Sequence, residues 1–315
     1  MMRKVYCIGE LLIDFVAENQ GSDLSKAIEF TKKAGGAPAN VACAISKLGG
    51  RSAFIGAVGV DPFGTYLLKV LKDASVDISL TQRSKIFTTL AFVSIAEDGE
   101  RDFVFSRGAD RELKYSSANK SDLKGNMLHL GAATALLGGN LEEAYGRYFF
   151  DALTLGTFIS FDPNFRADLW KDNEASFIKK CMPFVEKSDL CKFSLEEAQL
   201  LSGKNDIDEA CDLLHEAGTK LIAVTLGPKG TLISRKGFRQ TVPSVKVVPV
   251  DTTGAGDAFI GCLLQQIATL NSLSDIMEND TLLLSMIARA NRAGAITTTN
   301  FGAIESLPDQ NQLND

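Results

Sequence analysis

Short apolar runs and helical stretches take turns along most of the chain, and this alternation narrows its possible folds most. Residues 4–15, rich in Val, Ile and Leu, predict an opening strand. Gly35-Gly36 predict a turn, and residues 39–48 a helix ended by Gly49-Gly50. Pro38 suits that helix's first turn, where its missing N–H would be unpaired anyway. A strand at 52–58 and a helix at 63–71 follow. Further on, strands are expected at 127–130, 158–161, 190–193 and 221–226, with helices at 141–155, 174–185 and 208–217 between them. Another β portion is expected at 231–234 and 241–250, then two long closing helices at 258–270 and 281–296. Such a rhythm builds an α/β fold: a central, mainly parallel sheet flanked by helices.

The rhythm breaks at residues 88–107. Two alternating runs, 90–96 and 102–106, flank Glu97-Asp98-Gly99-Glu100. Asp-Gly between alternating runs is a strong hairpin signal. A hairpin inside an α/β chain predicts a small accessory β layer or lid, which residues 15–33, also outside the rhythm, are placed to join. With no internal repeat or clear linker, one domain over residues 1–315 is expected, with a frayed polar tail at 309–315.

Several classes of function are disfavoured. The chain has 33 Lys and Arg against 39 Asp and Glu, a net charge of −6, which argues against a nucleic-acid footprint. His129 and His215 are its only histidines, too few for a multi-histidine metal site, and His129 reads as a core residue. Neither G-x-S-x-G nor G-x-x-x-x-G-K-[ST] occurs. The six cysteines are scattered through apolar stretches without C-x-x-C spacing, as expected of reduced thiols in a cytoplasmic protein. Glu10 and Asp14 interrupt the apolar run after Arg3-Lys4, so no signal peptide is expected, and no stretch approaches a membrane span.

The most informative segment is Asp251-Thr252-Thr253-Gly254-Ala255-Gly256-Asp257-Ala258-Phe259, between a β-like run and an apolar helix. Gly254 and Gly256 let the backbone approach a ligand, and the helix start adds a positive end, so together they form an anion cradle. A carboxylate beside such a cradle would only repel a phosphate. Asp257 makes sense if it takes a proton from a hydroxyl that attacks the phosphate. The same residues also suit a strand-to-helix turn with Asp257 at the helix start. Phe259 stands where a dinucleotide fingerprint would need its third glycine. A second segment, Gly35-Gly36-Ala37-Pro38-Ala39-Asn40, exposes backbone groups and offers an amide suited to a polyol hydroxyl, or is simply a turn with a helix start.

These two segments, in this order and about two hundred residues apart, resemble the two signatures of the PfkB (ribokinase-like) carbohydrate kinase family. Residues 9–15 resemble the family's first strand, Val224-Thr225-Leu226-Gly227-x-x-Gly230 its nucleotide loop, and Ala290-Asn291-x-Ala293-Gly294-Ala295 with Gly302-Ala303 its C-terminal region. The resemblance covers nearly the whole chain. Within the family, Gly9-Glu10, Ala37 and Phe161-Asp162-Pro163-Asn164-x-Arg166 are most similar to fructokinases. Ribokinases usually carry Lys where Ala37 stands. The 2-keto-3-deoxygluconate kinases share several of the remaining cues.

The resemblance implies a ribokinase-like fold and a set of residue roles. Asp257 would be the general base, and Gly254, Ala255 and Gly256 the anion hole. Asp14, Gly35, Gly36 and Asn40 would hold the sugar, with Asn164 beside them and Arg107 and Arg166 as donors to sugar or phosphate. Thr225, Gly227, Gly230 and Asn291 would line ATP. Glu197 would act on Mg²⁺ and phosphate through water, with Ser194 where the family commonly has Asn. Asp251, Thr253, Thr297, Asn300, Gly302 and Ser306 would form part of a K⁺ site. The expected activity is transfer of the γ-phosphoryl group of MgATP to the 6-hydroxyl of D-fructose. The alternatives are a 2-keto-3-deoxygluconate kinase or another sugar kinase of the family, and an idle sugar-binding protein on the same fold. Exposed lid strands would suit a homodimer.

Overall fold

The computed structural model describes residues 2–18, 23–95, 101–171 and 173–314. The expected opening strand is two strands, β1 (Lys4–Ile8) and β2 (Leu12–Ala17), which enter different sheets. The chain continues through β3 (Phe30–Gly35), α1 (Ala37–Lys47), β4 (Arg51–Ile55), β5 (Ala57–Gly59), α2 (Pro62–Asp73) and β6 (Gln82–Ser84). The hairpin strands follow as β7 (Leu90–Ile95) and β8 (Arg101–Ser106), paired antiparallel; their expected Asp-Gly turn lies outside the described residues. Next come β9 (Met127–Gly131), α3 (Gly139–Leu155), β10 (Phe158–Asp162), α4 (Glu174–Lys187), β11 (Leu190–Ser194), α5 (Leu195–Ser202), α6 (Ile207–Ala217) and β12 (Leu221–Thr225). The C-terminal part holds β13 (Thr231–Arg235), β14 (Phe238–Val242), α7 (Ala255–Thr269), α8 (Asp275–Glu278), α9 (Asp280–Thr297), α10 (Ala303–Ser306) and α11 (Gln310–Asn314).

The large sheet has eight strands in the order β14-β13-β12-β11-β10-β9-β1-β4. From β12 to β4 its neighbours run parallel, while β13 and β14 add an antiparallel edge. This is the ribokinase-like α/β architecture expected of the chain, with the smaller sheet β3-β2-β7-β8 beside it. Alternation along each strand feeds two cores. Val5 and Cys7 of β1 join Val41, Ile45, Leu263 and Ile287 from α1, α7 and α9. Tyr6 and Ile8 join Tyr145, Phe177, Ala198 and Leu214 from α3 to α6. The six cysteines are buried and unpaired, and His129 is buried beside the Ser160 hydroxyl.

Three other expectations change. The run 52–58 breaks between β4 and β5, which join different sheets. The run 241–250 stops being a strand at Val242, because Pro243 has no N–H to continue the ladder. The tail is tied down: Asp309 accepts from the N–H groups of Asn311 and Gln312 at the start of α11, and Leu313 is buried.

One close approach positions the site. A Cβ at Gly261 on α7 would lie 2.6 Å from the Ala44 Cβ and 3.1 Å from the Val41 carbonyl on α1. Only a residue without a side chain lets the two helices cross this closely. Gly261→Ala should therefore destabilise the protein by about 1–3 kcal/mol, the cost of overpacking. Urea denaturation checks this, and an unchanged midpoint would show that the helices separate freely.

Candidate functional site

Helices α1 and α7 begin side by side at the carboxyl ends of the parallel strands, where open α/β sheets place their ligands. Gly254 caps α7 in the left-handed region at φ 79°, and a Cβ there would sit 2.7 Å from the Ala303 Cβ, so glycine is required. The helix N-terminus that follows gathers N–H donors and the positive end of the dipole. The Ala255 N–H turns back to the Thr252 carbonyl at 3.3 Å, which leaves Gly256 and Asp257 as the better-placed members of the cradle.

Asp257 is buried, and its Oδ2 accepts a 2.8 Å hydrogen bond from Asn40 Nδ2 on α1. Burial pushes its carboxyl up to about 6, against the pull of the Asn40 amide and the Lys192 and Arg166 charges. Asn40 is itself buried, and its Oδ1 has no partner in the protein. Gly36 makes room for this start of α1, since at φ 111° its missing Cβ would lie 2.4 Å from the Glu10 carbonyl.

These groups open onto a cavity of about 490 Å³. Leu12 and Asp14 of β2 and Phe103 and Phe105 of β8 form the side given by the small sheet. Asn164 and Arg166 enter from the loop after β10. Asn164 is held at φ 49°, a conformation that asparagine tolerates better than most residues. Its N–H reaches Asp162 Oδ1 at 3.2 Å, and the next N–H, of Phe165, donates to Glu197 Oε1 at 2.7 Å.

Not every expected residue meets the cavity. Asp14, Gly36, Asn40, Asn164, Arg166, Ser194, Glu197, Thr253, Gly254, Gly256 and Asp257 line it. Gly35 and Ala255 lie just behind the wall as chain neighbours of lining residues. Arg107 does not line it: both Nε, at 3.1 Å, and Nη2, at 3.0 Å, donate to buried Asp110. Ser194 and Glu197 form a capping box that starts α5, so both Glu197 oxygens already accept backbone N–H groups, from Ser194 and Phe165. Thr225 pairs with Ser194 across β11 and β12, and Gly227 and Gly230 lie in the loop just beyond. Asn291 is held by two buried hydrogen bonds. Its Oδ1 accepts from Thr231 at 2.6 Å and its Nδ2 donates to the Val242 carbonyl at 2.9 Å, which fixes α9 to the sheet edge.

Residues 250–253 and 297–306 meet. Asp251 ties them together, accepting from the Gly302 N–H at 3.0 Å and from the Thr253 N–H at 2.9 Å. The Thr297 hydroxyl donates to Ala293 inside its own helix, Asn300 Nδ2 donates to the Thr299 hydroxyl, and Ser306 donates to the Phe301 carbonyl.

Three groups that sequence reasoning did not place in the site belong to it. Glu10 lines the cavity and accepts from the Ala37 N–H at 3.1 Å; burial pushes it up to about 7. Thr134 lines it too and donates to Asp110 at 3.0 Å. Lys192 lines it as well, 2.9 Å from Asp162. The available signal was a charged residue within an apolar run, at Glu10 and at Lys192.

A buried carboxylate, an anion-binding helix start and a polar cavity at the strand ends define an enzyme that transfers an anionic group to a hydroxyl. Comparison with known proteins agrees. The pfkB family carbohydrate kinase pattern matches residues 2–310, and the chain belongs to that family of phosphotransferases. Fructokinase-1 of Zea mays is 39% identical over 313 residues, 98% of this chain and 96% of that protein. A crystal structure of fructokinase with bound ATP from Xylella fastidiosa superposes with a TM-score of 0.87 at 29% identity, covering 100% of this chain and 98% of that one. A double mutant of fructokinase from Vibrio cholerae O395, in fructose-, ADP- and potassium-bound form, gives a TM-score of 0.82 at 32% identity, covering 99% and 97%.

A base at Asp257, as the resemblance implies, would set a pH dependence. Asp257 must be charged to accept a proton, so kcat/KM should rise with pH through a limb near 6. Asn40→Ala removes a hydrogen bond to the charged form and should move that limb upward. Asp257→Asn should lower kcat by about 10²- to 10⁴-fold, with a much smaller effect on sugar binding. A pH profile of each variant checks this; an Asp257→Asn enzyme with wild-type kcat would remove Asp257 from the role.

Proposed function

We propose that the chain is an ATP-dependent fructokinase that phosphorylates the 6-hydroxyl of D-fructose. The observation that carries this reading is the Asn40–Asp257 pair at the start of α7, facing a polar cavity. Asp257 takes the hydroxyl proton as the sugar oxygen bonds to the γ-phosphorus. The bond to the bridging oxygen breaks, and ADP leaves. Gly256 and the start of α7 hold the transferred group. The unpartnered Oδ1 of Asn40 offers an acceptor for a sugar hydroxyl. Asp14 and Asn164 add polar contacts from two further sides of the cavity.

The fructokinase relatives, matched over nearly the whole chain, favour fructose over 2-keto-3-deoxygluconate. Of the two arginines an acidic substrate would draw on, Arg107 is held by a buried carboxylate, while Arg166 lines the cavity. Intact Asp257, Gly254 and Gly256 speak against an idle sugar binder.

The small sheet acts as a lid. Its Phe103 and Phe105 line the cavity, and closure over the sugar would exclude the water that competes with the hydroxyl as acceptor. The exposed Val104 on edge strand β8 supports pairing of lids in a homodimer. The buried thiols fit a reducing compartment, which supports cytoplasmic placement; no helix among the described residues is long and apolar enough to cross a membrane.

Mg²⁺ would arrive with the nucleotide, and Glu197, whose oxygens are both taken, would meet it through water; bound there, it neutralises phosphate charge. K⁺ needs oxygen donors, which Asp251 and the carbonyls of residues 250–253 and 297–306 supply. It would order the cradle beside them, and K⁺ activation is expected. Equal rates in K⁺, Na⁺ and a bulky organic cation would refute this.

The central test is a coupled ADP-release assay with MgATP and separate sugars: fructose, ribose, glucose, 2-keto-3-deoxygluconate and a nucleoside. Preference for fructose is expected. Preference for another sugar would overturn the substrate while keeping the chemistry.

A further inference from the structure

Among the described residues, Lys192 is the one buried lysine or arginine. It sits on β11 in an otherwise apolar run, and its Nζ lies 2.9 Å from Asp162 Oδ2 on the neighbouring β10, with side chains 9% and 2% exposed. A pair this deep adds little stability over a well-packed apolar substitute, because desolvation offsets the attraction. Its position answers a different need. Asp162 ends β10 and Lys192 is the middle residue of β11, and by alternation both lie on the face that packs against α1 and α7.

Gly256 shows where the ammonium points. A Cβ on Gly256 would stand 3.1 Å from Lys192 Nζ and 3.4 Å from its Cε. The charge therefore lies directly against the anion cradle, and any side chain at Gly256 would crowd it. Burial alone would lower the Lys192 ammonium, but the charges of Asp162, Glu197 and Asp257 outweigh that and raise it, so it stays protonated. Lys192 also lines the cavity between the base Asp257 and the Glu197 end next to the nucleotide loop.

We propose that Lys192 is a catalytic residue: held by Asp162 against Gly256, its ammonium stabilises the phosphoryl group as it crosses from nucleotide to sugar. The proposal rests on the kinase reading above. In the transfer, the bond from phosphorus to the ADP oxygen breaks while the bond to the sugar oxygen forms, and the hydroxyl proton goes to Asp257. Negative charge spreads over the three equatorial oxygens, and a fixed cation beside them lowers the barrier without reorganising. Asp162 is the positioning residue that holds the ammonium there.

The test compares the full-length wild type with Lys192→Met, Lys192→Arg and the double variant Lys192→Met with Asp162→Asn. The double variant leaves no unpaired buried carboxylate, so it keeps the test sharp where the single variant folds poorly. Kinetics with MgATP and fructose, calorimetric fructose binding, thermal unfolding and inhibition by MgADP with aluminium fluoride are measured on each. Lys192→Met and the double variant should lose about 10²- to 10³-fold in kcat, the usual effect of removing one stabilising donor. Fructose affinity should change less than about threefold, and tight inhibition by the aluminium fluoride complex should be lost while MgADP alone still binds. Lys192→Arg should recover part of kcat. A double variant with wild-type kcat would make the pair purely structural and overturn the proposal. Weaker fructose binding at unchanged kcat would overturn it too, making Lys192 a sugar ligand. A wild type that transfers phosphoryl to no sugar would overturn the kinase reading and this one together, whereas an active wild type matched by Lys192→Met would overturn this one alone.

Discussion

The hydrogen bond from Asn40 to Asp257 joins two residues 217 positions apart, and the site depends on it. It exists because α1 and α7 cross closely at Gly261 and because both helices start at the same end of the sheet. Each helix brings one half of the chemistry. Helix α1 brings an amide with an unsatisfied oxygen, and α7 brings a carboxylate behind an anion-binding turn. Separate the helices and Asp257 becomes a buried carboxylate without its amide partner.

Around that bond the protein concentrates charge that water would otherwise solvate. Glu10, Asp162, Lys192, Glu197 and Asp257 are all buried. Each has its own reason to stay. Glu10 receives the Ala37 N–H at the start of α1, and Glu197 receives two backbone N–H groups, one of them from the loop that carries Asn164 and Arg166. Asp162 receives the Lys192 ammonium. Asp257 keeps an oxygen that Asn40 does not occupy, since the amide donates to Oδ2 alone. Burial raises its affinity for a proton, which is what a base acting near neutral pH requires.

Most of the architecture was legible in the sequence because the strands of the large sheet are apolar on both faces and the helices have clear starts. The two signature segments were legible for the same local reason: glycine and asparagine stand where backbone must approach a ligand. Three things were not. The break between β1 and β2 falls at Gly9-Glu10-Leu11, too short an interruption between apolar runs to show that the chain changes sheets. The hydrogen bonds of Asn291 were hidden because their partners, Thr231 and Val242, come from strands far back in the chain. Arg107 was legible as a cation but not as a spent one, since Asp110 is pulled beneath it by Thr89 and Thr134, which sequence spacing does not join.

That last cluster links the small sheet to the cavity floor. Arg107 follows β8, Asp110 binds it, Thr134 donates to Asp110, and Glu10 lies 3.4 Å beyond the same hydroxyl. A carboxylate, two hydroxyls and a guanidinium therefore anchor the end of the hairpin to the wall that holds the start of α1. Buried ionic hydrogen bonds resist sliding better than apolar contacts, because breaking them leaves charge without a partner. Phe103 and Phe105, on β8 just before Arg107, line the cavity. If the small sheet closes as the lid proposed above, its anchored strand would bring these rings over a bound sugar, while the buried charges of the large sheet stay where they are held.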